Sequence, residues 1–366
     1  MEEASPLVKK KKQRNGKIEL MRFVMAVIIA CYHFGCSVKY PGEWFERGYL
    51  AVEFFFVVSG YLFASSLMKY GKEQQGDLVR SSLLFMAKKY RSFIWYYLVV
   101  IVMTVVAWIP FFHLNFHDWL LRVIHAIPTF FLVQMAGLPT ADWFVPVWYL
   151  SAMLIVMFIL TPVMIKWGRT YALYIAPVLS LLLIGFIWKQ GGTLNVSTMW
   201  KDNWFNAGLG RALAEVSIGC TCCYIVKSGI LNRVNRWVLS LIGFLCYLPP
   251  LICMTVGMKQ IMEVSVTLLL IAAVLITFQN SSTFTFLNNR FVYFLGTLSL
   301  PVFLCHSIAR YYIVDYYHLD LGYPKTLGVF LLVTFALSAV CVIGGKLLQM
   351  TAKWISGRRK PPKTAE

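Results

Sequence analysis

The chain has 366 residues, of which 59% are hydrophobic and 14% are charged. Because soluble domains carry about 25% charged residues, this composition excludes an ordinary water-soluble protein. The net charge of +18 comes from Lys and Arg in short segments beside apolar runs. Membrane proteins carry positive charge in such segments, so the charge indicates no nucleic-acid partner.

Ten apolar runs follow a basic N-terminal tail over residues 1–17, and each run is long enough to cross a bilayer. Lys and Arg are concentrated in alternate loops and in both tails, which predicts a multi-pass protein of the cell membrane with both termini in the cytoplasm. The predicted fold class is all-α, a polytopic membrane helix bundle with one membrane domain over 18–350 and a basic tail over 351–366. The predicted transmembrane helices, about ten in number, are 18–38, 49–68, 92–111, 145–165, 171–188, 207–226, 237–255, 261–278, 291–313 and 326–348.

Residues 117–138 form a less apolar segment that contains Asp118, Arg122, His125 and Pro128. Counting this segment as a span would invert every later loop and move the basic C-terminal tail to the outside. We therefore expect an interfacial or re-entrant helix on the external side.

Ionisable residues inside a membrane span are costly and indicate function. The first span contains Arg22 and His33, which are 11 positions apart. This spacing is close to three helical turns, so both side chains lie on one face about 16 Å apart along the axis. Coenzyme A, with phosphates at one end and a thioester at the other, matches this length: Arg22 could bind phosphate while His33 meets the acyl carbon. In the alternative, Arg22 extends to lipid headgroups and His33 hydrogen-bonds a neighbouring helix.

Glu53 in the second span lies about as far from the external end of its helix as His33 does from the end of the first. In an antiparallel hairpin the two residues would meet at similar depth, and a carboxylate can orient a catalytic imidazole. The alternative is that Glu53 faces water at the membrane interface.

Other polar positions allow simpler interpretations. Arg211 and Glu215 are spaced i, i+4, so we expect them to form an ion pair on one helix surface. Arg310 could pair with Asp315 or contact an acceptor substrate, and the sequence leaves both open. The nine cysteines show no metal-ligand or disulfide spacing, so we expect no metal.

Together these residues resemble the acyltransferase 3 family of integral-membrane acyltransferases, which includes many O-acetyltransferases of surface polysaccharides. Arg22 and His33 resemble its Arg-x10-His motif, and the stretch 55–62 resembles its Phe-Phe-x-x-Ser-Gly-[FY]-Leu signature. The stretch 88–91 is similar to its Arg-x-x-Arg motif, and 296–306 resembles a late-span pattern that ends in histidine. The resemblance extends over residues 18–350, nearly the whole chain.

The resemblance implies that His33 is the catalytic histidine, acting as a general base or as a transient acyl acceptor. Glu53 is the second predicted catalytic residue, from its expected depth. Arg22, Lys88 and Arg91 would bind the phosphates of acyl-CoA from the cytoplasmic side. Acceptor-binding or supporting positions would be Ser59, Trp148, Ser151, His306 and Arg310.

The sequence also departs from the family pattern. Lys88 replaces an arginine, which keeps the charge and loses bidentate phosphate binding. Leu300 and Phe303 replace tyrosines near the late histidine, and Met153 or Leu154 stands where some relatives have a glutamate. These departures affect the acceptor half of the site more than the acyl-donor half.

The predicted activity is transfer of an acetyl or short acyl group from cytoplasmic acetyl-CoA, or a related acyl-CoA, to a hydroxyl of an extracytoplasmic glycan. Membrane lipid is expected to surround the chain. The alternative is a multi-span transporter or exporter of a glycan or small anionic metabolite. Transporters usually carry inverted repeats, and the sequence shows none. The acceptor, the acyl length, the role of His33 as base or acyl carrier, and the oligomeric state stay open.

Overall fold

The computed structural model describes residues 14–38, 44–70, 77–112, 115–138, 145–197 and 205–358. Most of the predicted basic tails, residues 1–13 and 359–366, lies outside these ranges. The long elements of the described chain are all helical, which confirms the all-α fold class. The α-helices are α1 Gly16–Ser37, α2 Ala51–Tyr70, α3 Leu78–Arg91, α4 Ile94–Phe112, α5 Phe116–His125, α6 Ile127–Phe130, α7 Trp148–Thr170, α8 Ala176–Gly191, α9 Ala207–Ser228, α10 Arg236–Val256, α11 Glu263–Gln279, α12 Arg290–Arg310 and α13 Tyr323–Arg358.

Asparagine caps in the loops set the starts of several helices. The side chain of Asn15 accepts a hydrogen bond from Lys17 N at the start of α1. Asn206 and Asn289 cap α9 and α12 in the same way. A side-chain oxygen at this position satisfies one of the free N–H groups of the first turn, so these three helices begin at defined residues.

Eight helical stretches in the described residues are long and apolar enough to cross a membrane, and the pair α3–α4, bent by 55°, makes a ninth. One of the eight, Trp148–Gly191, has 44 residues, about twice the 20 that a bilayer requires. It comprises α7, a π-helical turn over Tyr171–Ile175 and α8. The backbone of Trp167 is non-helical, so the stretch is kinked there.

The first half of this stretch runs parallel to α9. At the start of α7, the ring of Trp148 lies 5.7 Å from the guanidinium carbon of Arg211. Near the end of α7, Gly168 lies against the hydroxyl of Tyr224. Residue numbers therefore rise in the same direction on both helices.

The second half runs antiparallel to α9. Thr221 donates a hydrogen bond to Ala172 O at 2.7 Å, and Ser180 donates to Ala214 O at 2.6 Å. The stretch thus reverses at the kink and forms a hairpin of two spans, matching the predicted spans 145–165 and 171–188. With this hairpin and the bent pair, the described helices supply as many spans as the sequence predicts.

Two close helix pairs hold the centre of the bundle. α2 packs on α9 so closely that a Cβ atom at Gly60 would lie 2.1 Å from Val216 O, and one at Gly219 would lie 2.3 Å from Val57 O. α1 packs along α12, where a Cβ at Gly296 would meet the side chain of Glu19. Small residues allow such close backbone approach inside membranes.

The segment predicted as interfacial, residues 117–138, contains the short helices α5 and α6 and a 3₁₀ turn over Gln134–Ala136. α5 has 10 residues, none of them buried, and reaches about 15 Å at 1.5 Å per residue. That length is half of a hydrocarbon core, so the segment is not a span, as predicted. It is tied to the bundle by Tyr97, whose hydroxyl donates to Thr129 O at 2.5 Å.

Candidate functional site

The histidines of α1 and α12 contact each other. His33 Nδ1 lies 3.2 Å from His306 Nε2, and the two rings stack with centroids 4.9 Å apart. His306 is completely buried and His33 is half-buried. The two residues therefore lie at the same depth in the bundle.

The surrounding carbonyls determine which ring nitrogens carry hydrogen. His306 Nδ1 lies 3.3 Å from Val302 O, and His33 Nδ1 lies 3.0 Å from Ile29 O. Carbonyl oxygens only accept hydrogen bonds, so each Nδ1 carries a hydrogen, and the Nε2 of a neutral ring is then unprotonated. His33 Nδ1–H is then shared between Ile29 O and the unprotonated Nε2 of His306. Of the two histidines, His33 therefore has the ring nitrogen with a free lone pair. This nitrogen is Nε2, which can act as base or nucleophile.

A cavity of about 390 Å³ lies among α1, α2, α3–α4, α7 and α12, within the size range of ligand sites. Three cations line it, Arg14, Arg22 and Lys89, and we refer to them as the basic rim. At the other end the cavity is lined by Phe303, whose ring centroid is 6.0 Å from that of His306. The cavity thus ends one side chain away from the histidine pair.

The inner end of the cavity combines hydroxyls with aromatic rings. Ser59 Oγ and Tyr149 OH are 3.0 Å apart, and both residues line the cavity. The ring of Tyr149 packs against Phe55 and Phe303, with centroids 6.1 and 5.5 Å away. These rings separate the cavity from the histidines, so access to His33 from this side requires Phe303 to rotate.

The predicted phosphate-binding residues have different positions. Arg22 lines the cavity, whereas Lys88 and Arg91 are exposed on α3 and are not among its lining residues. Lys89, which the sequence analysis did not select, is half-buried and lines the cavity. The signal that could have identified it is the helix period: Lys89 is four residues after Phe85, which is buried, and so shares its inward face.

Glu53 is bonded to α9 and not to the histidine pair. It is completely buried, and Arg211 donates to its Oε1 from Nε at 2.9 Å and from Nη2 at 2.5 Å. In the described chain the hydrogen bonds of the His33 ring run to Ile29 O and His306 Nε2. The expected contact between Glu53 and His33 is therefore corrected: the rotation of α2 that packs Gly60 on α9 directs Glu53 to the arginine.

Glu215 belongs to the same buried cluster. Its Oε1 is 3.7 Å from Arg211 Nε, the i, i+4 pair expected from the sequence. Within the described residues, both Glu215 oxygens and Glu53 Oε2 are buried without a hydrogen-bond partner. Trp148 covers the guanidinium with its ring. Two carboxylates thus share one arginine, and Trp148 contributes to this cluster and not to the cavity.

The remaining predicted positions are distributed around the histidines. Ser151 is buried, and its Oγ accepts a hydrogen bond from Met135 N at 3.1 Å, which anchors the loop before α7. Arg310 donates to Ser37 Oγ at 3.0 Å and pairs with Asp315 at 3.6 Å. Arg310 therefore lies on the side of His33 that is remote from the basic rim.

No group of three or more His, Cys, Asp or Glu able to hold a metal occurs in the part of the chain that the structure describes. The cysteines are free thiols.

Comparison with known proteins gives one match. The family model of the acyltransferase 3 family, described as an acyltransferase domain, matches residues 15–345, nearly the whole chain. Searches of the curated proteins and of the solved structures find no match.

Proposed function

The chain belongs to the acyltransferase 3 family and is a multi-pass membrane acyltransferase, and from this premise we propose that it transfers an acetyl or short acyl group from acyl-CoA to a hydroxyl of a glycan across the membrane. The basic rim faces the cytoplasm in this proposal, both termini are cytoplasmic, and the membrane is the cell membrane. The observation that carries the proposal is the cavity that extends from three cations toward the histidine pair and ends at Phe303, which packs against His306. Family membership favours this activity over the transporter alternative.

The basic rim supplies the phosphate site. Arg14 donates to Glu19 at 2.9 and 2.6 Å, and Arg22 donates to Glu19 at 3.4 Å. Phosphate oxygens form charge-assisted hydrogen bonds with arginine and lysine. An acyl-CoA phosphate would therefore replace Glu19 as the acceptor for the two arginines, with Lys89 as a further cation. Lys88 and Arg91, which the family pattern assigns to this role, would act from the exposed face of α3 by charge alone.

The inner end of the cavity suits a thioester. A pantetheine arm is flexible and mostly uncharged, and beyond the rim the cavity is lined by apolar and aromatic side chains with several hydroxyls, among them those of Ser59 and Tyr149. These hydroxyls can donate to a carbonyl oxygen on which negative charge develops. Rotation of Phe303 would then open the path by which the acyl carbon reaches His33.

His33 would perform the proton transfer. Its free Nε2 removes the proton of the acceptor hydroxyl, the oxygen attacks the acyl carbon, and the C–S bond breaks. The proton then passes from His33 to the coenzyme A thiolate, which leaves as the thiol, so charge and atoms balance. His306 accepts from His33 Nδ1–H and keeps Nε2 unprotonated. The same nitrogen would serve if His33 carried the acyl group transiently.

The acceptor would enter from the opposite side, near Arg310 and Ser37. These residues supply a cation and a hydroxyl beside the backbone of His33, since Ser37 Oγ donates to His33 O at 3.3 Å. A glycan presents hydroxyls to both groups.

The test is transfer of labelled acetyl from acetyl-CoA to surface glycans of cells that express the full chain. We expect His33→Ala to abolish transfer while the protein remains in the membrane. The control is His117→Ala, because His117 is exposed on α5. Unchanged transfer in the His33 variant would overturn the proposal.

A further inference from the structure

A second cavity, of about 510 Å³, opens at the same basic rim. Arg14, Arg22 and Leu62 line both cavities, so the two meet at the arginines. The second cavity extends away from the histidines, toward the ends of α9 and α11. The proposed reaction does not use the second cavity.

We propose that this second cavity binds the adenine nucleotide of the acyl-CoA, with the pantetheine arm in the first cavity and the phosphates at the shared arginines. The inference rests on the proposed function, because it locates one part of the proposed acyl donor. Coenzyme A has the matching order of groups: a nucleotide, a pyrophosphate and a pantetheine arm. Two cavities that join at a pair of arginines fit this order.

The charges of the second cavity suit an anionic nucleotide. Its lining includes Arg14, Arg22 and Lys227, and the acid among its lining residues, Glu19, already accepts from both arginines. Lys227 is exposed at the end of α9, away from the arginines along the cavity. Its ammonium is a point charge for the ribose phosphate, while the arginines bind the pyrophosphate.

A pair of side-chain amides can recognise the adenine edge. Gln279 Nε2 donates to Asn232 Oδ1 at 2.5 Å, and both residues line the cavity. Gln279 Oε1 is buried and has no hydrogen-bond partner among the described residues. The side chains that carry this free acceptor and the N–H groups of Asn232 both line the cavity. Adenine has the complementary groups, an amino donor beside a ring-nitrogen acceptor. Asn and Gln side chains recognise adenine by hydrogen bonds to these two groups.

A stacked aromatic pair provides a flat surface for the base. The rings of Tyr61 and Phe278 are parallel within 4° with centroids 3.6 Å apart, and both residues line the cavity. Stacking on aromatic side chains is a general way to bind a nucleobase. Phe278 precedes Gln279 directly, so one turn of α11 supplies both the ring and the amide.

The experiment measures binding of three probes to the purified full chain: acetyl-CoA, its analogue with hypoxanthine in place of adenine, and acetylated phosphopantetheine, which lacks the nucleotide. Hypoxanthine replaces the amino donor with a carbonyl, which leaves Gln279 Oε1 without a partner. We expect the analogue to bind about tenfold more weakly than acetyl-CoA, the usual effect of one unmade buried hydrogen bond. We expect Gln279→Met to remove this discrimination and to leave phosphopantetheine binding unchanged.

The matched control is Gln190→Met, because Gln190 is exposed at the far end of α8. Unchanged binding of phosphopantetheine shows that each variant is folded. If Gln279→Met keeps the full preference for adenine, or if the wild-type chain binds acetyl-CoA and phosphopantetheine equally well, the nucleotide site is refuted while the proposed function stands. If the wild-type chain binds none of the three probes, the proposed function itself is refuted.

Discussion

Replacing Arg211 with methionine tests what holds α2 against α9. The guanidinium donates twice to Glu53 Oε1 and once to Tyr49 O at 3.2 Å. Its removal leaves Glu53 and Glu215 as buried acids without a cation. Breaking a buried ion pair by removing one partner costs about 3–5 kcal/mol, and we expect the Arg211→Met variant to lose stability of this order.

The expected loss translates into a measurable shift of the melting temperature. An unfolding entropy of about 2.1 cal/mol/K per residue amounts to roughly 0.8 kcal/mol/K for a chain of this length. A loss of about 3–5 kcal/mol then lowers Tm by about 4–6 °C. The buried thiols of Cys220, Cys222 and Cys223 provide the assay, because a thiol-reactive dye labels them only after the bundle opens on heating in detergent.

Two neighbouring substitutions make the reasoning refutable. Glu215→Gln loses no described hydrogen bond and removes one of two negative charges that share one arginine, so we expect an unchanged or raised Tm. Glu53→Gln loses its charged pair with Arg211, and its Tm should lie between those of Arg211→Met and Glu215→Gln. If Glu215→Gln destabilises the protein more than Arg211→Met, the proposed charge balance is wrong. If Glu53→Gln abolishes transfer at unchanged Tm, the predicted catalytic role of Glu53 is supported instead.

Two further predictions concern the site. His306→Leu should lower kcat for acetyl transfer by about 100-fold or more, the scale of general-base catalysis, because His33 Nδ1–H loses its acceptor. His306→Gln should restore part of the rate, because its amide oxygen can accept that hydrogen bond. Equal rates in both variants would contradict the assigned tautomer. Lys89→Ala should raise KM for acetyl-CoA, whereas Lys88→Ala should change it much less, because of the two only Lys89 lines the cavity. The difference in KM should shrink at high salt, which screens charges. Identical KM values of the two variants at low salt would show that phosphate binds elsewhere.

The fold could be predicted from the sequence because membrane helices follow from local properties. The length and hydropathy of each run predicted the spans, and the exposed helix α5 agrees with the polar residues found there. The hairpin between α7 and α8 was predicted as two spans, although the helix continues through its turn. Its reversal depends on Trp167, whose non-helical backbone has no sequence signal of its own.

The site could be predicted only in part, because helix rotation is set by distant contacts. Arg22 and His33 share a face of α1 through their spacing, and both face α12: Arg22 lines the cavity with Thr297, and His33 contacts His306. The partner of Glu53 depends on how α2 packs on another helix, which no local pattern determines. The choice between Lys88 and Lys89 is a rotation of one residue, about 100°, decided by the packing of α3.

The histidine pair also follows from the cost of charge inside a membrane. A buried carboxylate requires a cation, and in this bundle Arg211 meets that requirement for Glu53 on the α2–α9 pair. A carboxylate beside His33 would need a second buried cation, and it would repel the thiolate that forms when the C–S bond breaks. In the proposed mechanism His306 orients His33 through a neutral imidazole and adds no charge to the reaction site. The separation of the ion pair on α2–α9 from the proposed proton-transfer groups on α1–α12 is therefore what electrostatics in an apolar interior favours.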